Sequence, residues 1–245
     1  MRYEALGFTE GYREMGTLMK SIALLIILVI LLTPLSLLMA QSGQPKRLVI
    51  IDAAHGGADG GVIVTDKVRE QQVTLELSQL LQKELAKDPD IQVKMTRTSD
   101  KTVSIDERRK VANAAPAGAL FISLHVNAGF GKNATGYEIY FPGFQTATED
   151  KGGSKAILKD MVKNKNLNDS VRFAQILQRN MEKVFPRKGR GLRDAPMPVL
   201  NGLTLAAVVL ETGFATNVDD RKKIMDKETQ QFIAEALSKS IREYF

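Results

Sequence analysis

The chain has 245 residues, with 34 Lys and Arg against 28 Asp and Glu, a formal net charge of +6. It contains no cysteine, which excludes disulfides, cysteine nucleophiles and cysteine-bound metals, and its 2 histidines leave only His55 and His125 for a histidine site. The composition is that of a globular protein, and no basic block with interleaved aromatic residues indicates nucleic-acid binding.

The N-terminus carries a strongly apolar segment. Residues 21–39 are almost wholly apolar, Lys20 precedes them and Ala40 follows them, which is typical of a secretory signal peptide. About 20 apolar residues also suffice to cross a bilayer, so an uncleaved anchor is the alternative, although Pro34 and Ala40 favour cleavage. We therefore predict an exported protein of the periplasm or cell envelope, which contacts a membrane only through residues 1–40.

After a predicted linker at residues 41–46, strand-like and helical segments alternate along the chain. Short apolar runs predict buried strands, and apolar residues at helical spacing predict amphipathic helices. The predicted elements are, in chain order, a strand at 47–52, a helix at 71–87, a strand at 91–97, a helix at 104–114, strands at 119–124 and 136–141, a helix after 168–170, a strand at 205–210 and a helix at 227–244.

The segment before the third long helix is the least regular part of the chain. Residues 145–168 are polar and predict an irregular insertion, within which a short helix carries an apolar stripe of Ile157, Leu158, Met161 and Val162. Residues 168–170 (Asn-Asp-Ser) predict the N-cap of the helix that follows. In the last helix, Phe232 is predicted to face the core.

Alternating strands and helices predict a single α/β domain over residues 47–245, with a twisted, mostly parallel sheet of about six strands and helices on both faces. Ligands of such sheets bind at the carboxyl ends of the strands. His55 follows the first predicted strand, while His125 and Glu211 end two later ones. We therefore expect these three side chains to converge at one edge of the sheet.

Two histidines and one carboxylate meet the requirement of a catalytic zinc ion, which takes about three protein ligands and keeps one position for water. Glu70 is the favoured third ligand, because the N-terminus of its helix stabilises a negative charge. Glu211 then remains as a general base for the attacking water. The alternatives are hydrogen-bonding histidines and a solvated Glu70, since the His-Glu-x-x-His metalloprotease motif is absent.

Four short segments occur in a fixed order. They are Asp52-Ala53-Ala54-His55-Gly56-Gly57, Glu70 at a helix start, Ser123-Leu124-His125-Val126-Asn127-Ala128, and Glu211-Thr212-Gly213-Phe214-Ala215-Thr216-Asn217; Thr96, Arg97, Arg108, Asn113 and Arg190-Gly191-Leu192-Arg193 accompany them. In these segments the chain, from Arg47 to Phe245, resembles the zinc-dependent N-acetylmuramoyl-L-alanine amidases of the amidase-3 type. The departure is Ala53-Ala54, where the family has Pro-Gly, which alters the stiffness of the turn and not the ligand set.

The resemblance implies one zinc ion, held by His55, Glu70 and His125. It implies that Glu211 is catalytic and that peptidoglycan is the substrate, cleaved at the amide between N-acetylmuramic acid and the L-alanine of the stem peptide. Asn127 is interpreted as a donor to the oxyanion. Arg190 and Arg193 are interpreted as partners of stem-peptide carboxylates, with solvated surface charges as the alternative.

Some members of the resembling family hold a helix over the zinc cleft, between the same elements as the insertion at residues 145–168. By this resemblance Glu149, Asp150 or Asp160 would block the metal, and a protein activator would act on the insertion. The alternative is an exposed loop with a short surface helix.

Two other functions stay open beside the amidase. One is a peptidoglycan-binding module without catalysis, which the presence of all four histidine and carboxylate positions disfavours. The other is a zinc peptidase that cuts within the stem peptide, which the spacing of the motifs does not separate from an amidase.

Overall fold

The computed structural model describes residues 47–143, 154–186 and 188–245, together with residues 19, 20 and 22. The chain divides into Met1–Pro45 and Lys46–Phe245, and the fold below belongs to the second unit. Apart from those three residues, the predicted signal peptide and linker lie outside the described part. Within that part, no helix is both long enough and apolar enough to cross a membrane.

The described ranges contain eight strands and five α-helices. The strands are β1 (Arg47–Ala53), β2 (Ile63–Thr65), β3 (Val68–Arg69), β4 (Ile91–Met95), β5 (Leu120–Asn127), β6 (Tyr137–Phe141), β7 (Gly189–Asp194) and β8 (Ala206–Phe214). The helices are α1 (Glu70–Leu85), α2 (Ile105–Asn113), α3 (Ser154–Val184), α4 (Val218–Met225) and α5 (Lys227–Tyr244), and a 3₁₀-helix covers Pro198–Leu200.

Six strands form one sheet in the order β4-β1-β5-β8-β6-β7. All neighbours in it pair in parallel except β6 and β8, which are antiparallel. The short strands β2 and β3 form a separate antiparallel pair. The predicted mostly parallel sheet of about six strands is thus confirmed.

Helices cover both faces of this sheet, as predicted. Val49 and Ile51 of β1 belong to a core cluster with buried residues of α1, α3 and α5, whereas Ile50 packs with α2 and the 3₁₀-helix. Successive strand residues point to opposite faces, so this continuous apolar run fills two cores at once.

The predicted helix start at residues 168–170 is wrong, because α3 begins at Ser154 and runs through this segment. Ser170 is buried within the helix, where its hydroxyl donates to the Asn166 carbonyl (2.7 Å) and accepts from the Ala207 N–H (2.9 Å). The part of the predicted insertion from Ser154 onward is therefore helical, and residues 145–153 lie outside the described ranges.

The predicted inward position of Phe232 on α5 is also wrong, since 48% of this residue is exposed. The neighbouring Ile233 and Leu237 are buried and carry the helix onto the core. An apolar residue at the margin of an amphipathic stripe can lie on either side of the interface, and here it lies in solvent.

Candidate metal centre

The three side chains expected at the sheet edge line one cleft. His55 follows β1, while His125 of β5 and Glu211 of β8 are register partners on adjacent parallel strands. A cavity of about 420 Å³ opens over them and is also lined by Glu70, the first residue of α1. Four of the predicted site residues thus converge at the carboxyl ends of the parallel strands.

Glu70 stands between the two histidines. His55 Nε2 lies 3.1 Å from Glu70 Oε2, and His125 Nδ1 lies 3.2 Å from Glu70 Oε1. One ligand atom from each residue lies within 4.8 Å of the others, a grouping that can hold a metal ion. The Val62 and Val126 N–H groups each donate to one Glu70 oxygen at 3.0 Å and so fix the carboxylate.

A glycine makes this close approach feasible. Gly61 has a φ of +62°, in the left-handed region that favours glycine. A Cβ atom at this position would lie 2.5 Å from Glu70 Oε2 and 2.7 Å from His55 Cδ2. Any side chain at residue 61 would therefore displace two of the three candidate ligands.

Each histidine turns its second ring nitrogen to an oxygen atom. His55 Nδ1 lies 2.8 Å from Asp59 Oδ2, and His125 Nε2 lies 3.1 Å from Ser123 Oγ. Metal-ligating histidines almost always donate their other N–H to such an oxygen, which fixes the tautomer and the ring orientation. With a carboxylate between two nitrogens so oriented, the donor set fits a zinc ion.

The charges around the three candidate ligands favour a cation. Burial alone lowers the pKa of His55, but hydrogen bonds with Glu70 and Asp59 and their charges raise it to about 9. Burial raises the pKa of Glu70, yet the two histidines hold it well below its ordinary range. Despite its burial, Glu70 and Glu211 also raise the pKa of His125. The carboxylates therefore stabilise positive charge at this point.

Glu211 is placed differently from the three candidate ligands. It is buried, and its Oε2 atom has no hydrogen-bond partner among the described residues. Burial, with the negative charges of Glu70 and Glu138, raises the pKa of Glu211 to about 7, although His125 opposes the shift. A carboxyl group that titrates near neutrality in a cleft can both accept and release a proton.

Glu138 of β6, a residue that sequence reasoning missed, is the register partner of Glu211 on its other side. Its carboxylate accepts bonds from Asn127 Nδ2 (2.8 Å), Tyr140 OH (2.8 Å), Arg190 Nε (2.8 Å) and Arg193 Nη2 (2.9 Å). The three predicted substrate-binding residues thus contact one carboxylate. The sequence signal that could have identified Glu138 is a charged residue inside an apolar strand, because such a residue requires partners when it is buried.

Of the three candidate autoinhibitory residues, Asp160 lies in the described part of the chain, and it is not at the cleft. Asp160 and the apolar residues Leu158, Met161 and Val162 are exposed on α3, and none of them lines the cavity. Glu149 and Asp150 lie outside the described residues.

Known proteins that are similar to this chain in sequence and in structure carry the same family name. The profile of the N-acetylmuramoyl-L-alanine amidase family matches residues 49–243. The chain is 26% identical over 229 residues to the amidase AmiC of Escherichia coli O6:H1, covering 84% of this chain and 54% of that protein. It is 30% identical over 188 residues to the amidase CwlM of Bacillus licheniformis, covering 76% and 64%. A solved amidase structure from Clostridium difficile 630 is 27% identical, with a TM-score of 0.67, and the match covers 82% of this chain and 97% of that one. The chain thus spans 54–64% of the length of these two curated relatives.

Proposed function

This chain belongs to the N-acetylmuramoyl-L-alanine amidase family, and from that membership we propose that it hydrolyses the amide between N-acetylmuramic acid and the L-alanine of the peptidoglycan stem peptide. The observation that carries the proposal is the convergence of His55, Glu70, His125 and Glu211 on one cleft. Three of these side chains form a group that can hold a metal ion, and the fourth is a buried glutamate whose Oε2 atom has no hydrogen-bond partner among the described residues.

We propose that one zinc ion is the cofactor and that His55 Nε2, Glu70 and His125 Nδ1 hold it. When bound there, zinc supplies Lewis acidity, which lowers the pKa of a water molecule and polarises the scissile carbonyl. The roles of the chain's own residues follow from their positions. Asp59 and Ser123 accept the outward N–H groups of the two histidines and keep both rings oriented.

Glu211 is the proposed general base. Its carboxylate takes a proton from the attacking water as the oxygen bonds to the carbonyl carbon, and it returns that proton to the nitrogen as the carbon–nitrogen bond breaks. The products are a free lactyl carboxylate on the sugar and a free α-amino group on L-alanine. Asn127 lines the same cleft, and its second amide N–H is the proposed donor to the developing oxyanion.

We propose that Arg190 and Arg193 bind a carboxylate of the stem peptide beside the cleft. Each guanidinium is paired with Glu138 and is about two-fifths exposed, at 39% and 40%. Replacing either arginine with Gln should raise KM about 10-fold, the equivalent of one charge-assisted hydrogen bond of roughly 1.5 kcal/mol, with little change in kcat. Steady-state kinetics on soluble muropeptides measures both constants.

The matched control for these variants is Arg179→Gln. Arg179 is also paired with a glutamate, Glu243, but it does not contact Glu138 or line the cleft. Its KM should stay at the wild-type value. Unchanged KM in the Arg190 and Arg193 variants would contradict their role in substrate binding.

Analysis of the digestion products tests the proposed activity against the other candidate functions. Purified protein with zinc is incubated with peptidoglycan, and the amino groups that appear are labelled and identified. An amidase exposes new N-terminal L-alanine on released peptides. New termini inside the stem peptide would instead support a peptidase, and binding without release would support a module that lacks catalysis.

Export to the periplasm or cell envelope is part of the proposal, because the substrate lies outside the cytoplasm and residues 21–39 have the composition of a signal segment.

A protein activator acting on the segment at residues 145–168 is also proposed. It is supported by the exposed apolar residues Leu158, Met161 and Val162, whose exposed fractions are 62%, 62% and 55%.

A further inference from the structure

A buried arginine lies beneath the candidate metal centre. Arg108 of α2 is 4% exposed, and its guanidinium is surrounded by acceptors. Nη2 donates to the His55 carbonyl at 2.7 Å, while Nη1 donates to Asp52 Oδ1 at 2.6 Å and to the Ala53 carbonyl at 2.7 Å. Nε donates to the Val103 carbonyl at 3.1 Å. One side chain thus holds both the end of β1 and the backbone of the first candidate ligand.

The same guanidinium is connected to the second histidine through Asp52. The other oxygen of that carboxylate, Oδ2, accepts from the Ser123 hydroxyl at 2.6 Å. Ser123 Oγ in turn lies 3.1 Å from His125 Nε2, the nitrogen that points away from Glu70. Asp52 and Ser123 are both fully buried, so water does not compete for these bonds.

The backbone at His55 needs such support. His55 has a φ of 61° and is the one residue other than glycine with positive φ in the described part of the chain. This left-handed conformation is unfavourable for a residue with a Cβ atom. Ala53 and Ala54, which precede it, place no restriction of their own on the turn, in contrast to the fixed φ of a proline. External hydrogen bonds therefore have to keep His55 in place.

We propose that Arg108 is a positioning residue that fixes the backbone of His55 directly and the ring of His125 through Asp52 and Ser123, so that both ligand nitrogens are oriented before a metal ion binds. The proposal rests on the proposed function, since it concerns the zinc centre of that activity. A planar guanidinium is suited to the task because it reaches several acceptors at once in a fixed geometry, whereas a lysine ammonium is a single point donor.

Zinc affinity of the full-length protein tests the proposal without any substrate. The dissociation constant is measured by competition with a chromophoric chelator for wild type, Arg108→Lys, Ser123→Ala and the double variant. Arg108→Lys keeps a positive charge beside Asp52 and should weaken zinc binding about 10- to 100-fold, the range for lost support of a metal ligand. With cobalt as a spectroscopic probe, its visible absorption band should differ from that of wild type.

The double variant separates a shared connection from two independent effects. Ser123→Ala removes the support of the His125 ring, so only the His55 part of the Arg108 effect remains. Arg108→Lys should therefore weaken zinc binding by a smaller factor in the Ser123→Ala background than in wild type. Equal factors in the two backgrounds would contradict the connection through Ser123.

Two control variants test whether any substitution next to Asp52 or Arg108 weakens zinc binding. Thr96→Val removes a different donor to Asp52 Oδ1 (2.6 Å) and leaves the Arg108 and Ser123 bonds in place. Arg109→Lys alters the neighbouring arginine, which pairs with Asp106 on the surface. Both should keep the wild-type zinc affinity and cobalt spectrum. If Arg108→Lys does not fold, the zinc affinity of Ser123→Ala is compared with that of Thr96→Val. We expect Ser123→Ala to bind zinc more weakly, and equal affinities would overturn the proposal.

Failure of this proposal is distinguishable from failure of the proposed function. A protein that binds zinc with the expected dependence on Arg108, yet releases no L-alanine termini, would contradict the amidase activity alone. Wild-type zinc affinity and an unchanged cobalt spectrum in folded Arg108→Lys would contradict the positioning role alone.

Discussion

Replacing Glu211 with Gln is expected to lower the turnover number by about 10³-fold while zinc binding is retained, because loss of a general base costs roughly 10²- to 10⁴-fold. The variant keeps the size of the side chain and removes its capacity to accept a proton. Muropeptide hydrolysis gives the rate, and atomic absorption after dialysis gives the zinc content. Loss of zinc together with activity would make Glu211 a ligand, and retained activity would remove it from the mechanism.

The same substitution should stabilise the zinc-free protein. The pKa of Glu211 is raised from 4.5 to about 7 by burial, so the folded state holds a proton that the unfolded state releases. The contribution of Glu211 to the free energy of unfolding of the wild type is therefore fully present below pH 4.5. It is lost as the pH rises to about 7. Above that pH the Gln variant should be more stable by roughly 3 kcal/mol, since one pKa unit is about 1.4 kcal/mol.

Urea unfolding in the presence of a chelator, at about pH 4 and about pH 8, measures this difference through the linkage of proton binding to folding. The two proteins should have similar stability at the lower pH and should diverge at the higher one. Glu228→Gln is the matched control, because Glu228 is exposed in the first turn of α5 and should show no such divergence. A variant that is less stable than wild type at the higher pH would contradict the burial of an uncompensated charge.

Replacing Glu70 with Gln is expected to abolish zinc binding and activity together. Glu70 is 1% exposed, and each of its oxygens faces one histidine nitrogen and one backbone N–H. A Gln amide nitrogen would face the N–H of Val62 or Val126, donor against donor. We expect zinc affinity to fall by more than about 100-fold, the upper range for loss of a supporting residue, because a ligand itself is removed.

Glu84→Gln provides the control for this variant. Glu84 lies on the same helix and is also buried, but its partners are Lys87 and Gln231, away from the cleft. Equilibrium dialysis with zinc and the hydrolysis rate should both match wild type. Stoichiometric zinc in Glu70→Gln would contradict the assigned ligand set.

Much of the candidate site's framework could be predicted because ligands of a parallel sheet bind where its strands end. His125 and Glu211 end strongly apolar runs, and a polar side chain in that position requires a partner when it is buried. Its place at a helix start favoured Glu70 as the third ligand. The convergence of the strand-end residues followed from local patterns and topology, whereas the roles assigned to the four residues rested on the family resemblance.

The residues that support the site were not predictable in the same way, because their roles depend on which strands are neighbours. Glu138 lies within the apolar run of β6, and it binds Arg190 only because β7 pairs beside it. The sequence of β7, Gly189–Asp194, has two arginines and little alternation of apolar residues, so the pattern does not predict a strand there. Its two arginines are compatible with a sheet edge because both pair with Glu138 and both stay partly exposed to solvent.

Ser170 shows the opposite error, in which a local signal misleads. A serine after Asn and Asp is a strong helix N-cap signal. Here its hydroxyl instead donates back to Asn166 within α3 and accepts the N–H of Ala207 in the sheet. The polar group is satisfied by a residue far along the chain, and a sequence pattern does not reveal such a tertiary contact.

Hydrolysis in water enriched in oxygen-18 tests the central assignment most directly. The proposed reaction adds the water oxygen to the lactyl carbonyl, so we expect one oxygen-18 atom in the lactyl carboxylate of N-acetylmuramic acid and none in the released peptide. Mass spectrometry of the separated products reads both positions. Oxygen-18 in a stem-peptide carboxylate, with the lactyl amide intact, would contradict the amidase and establish a peptidase.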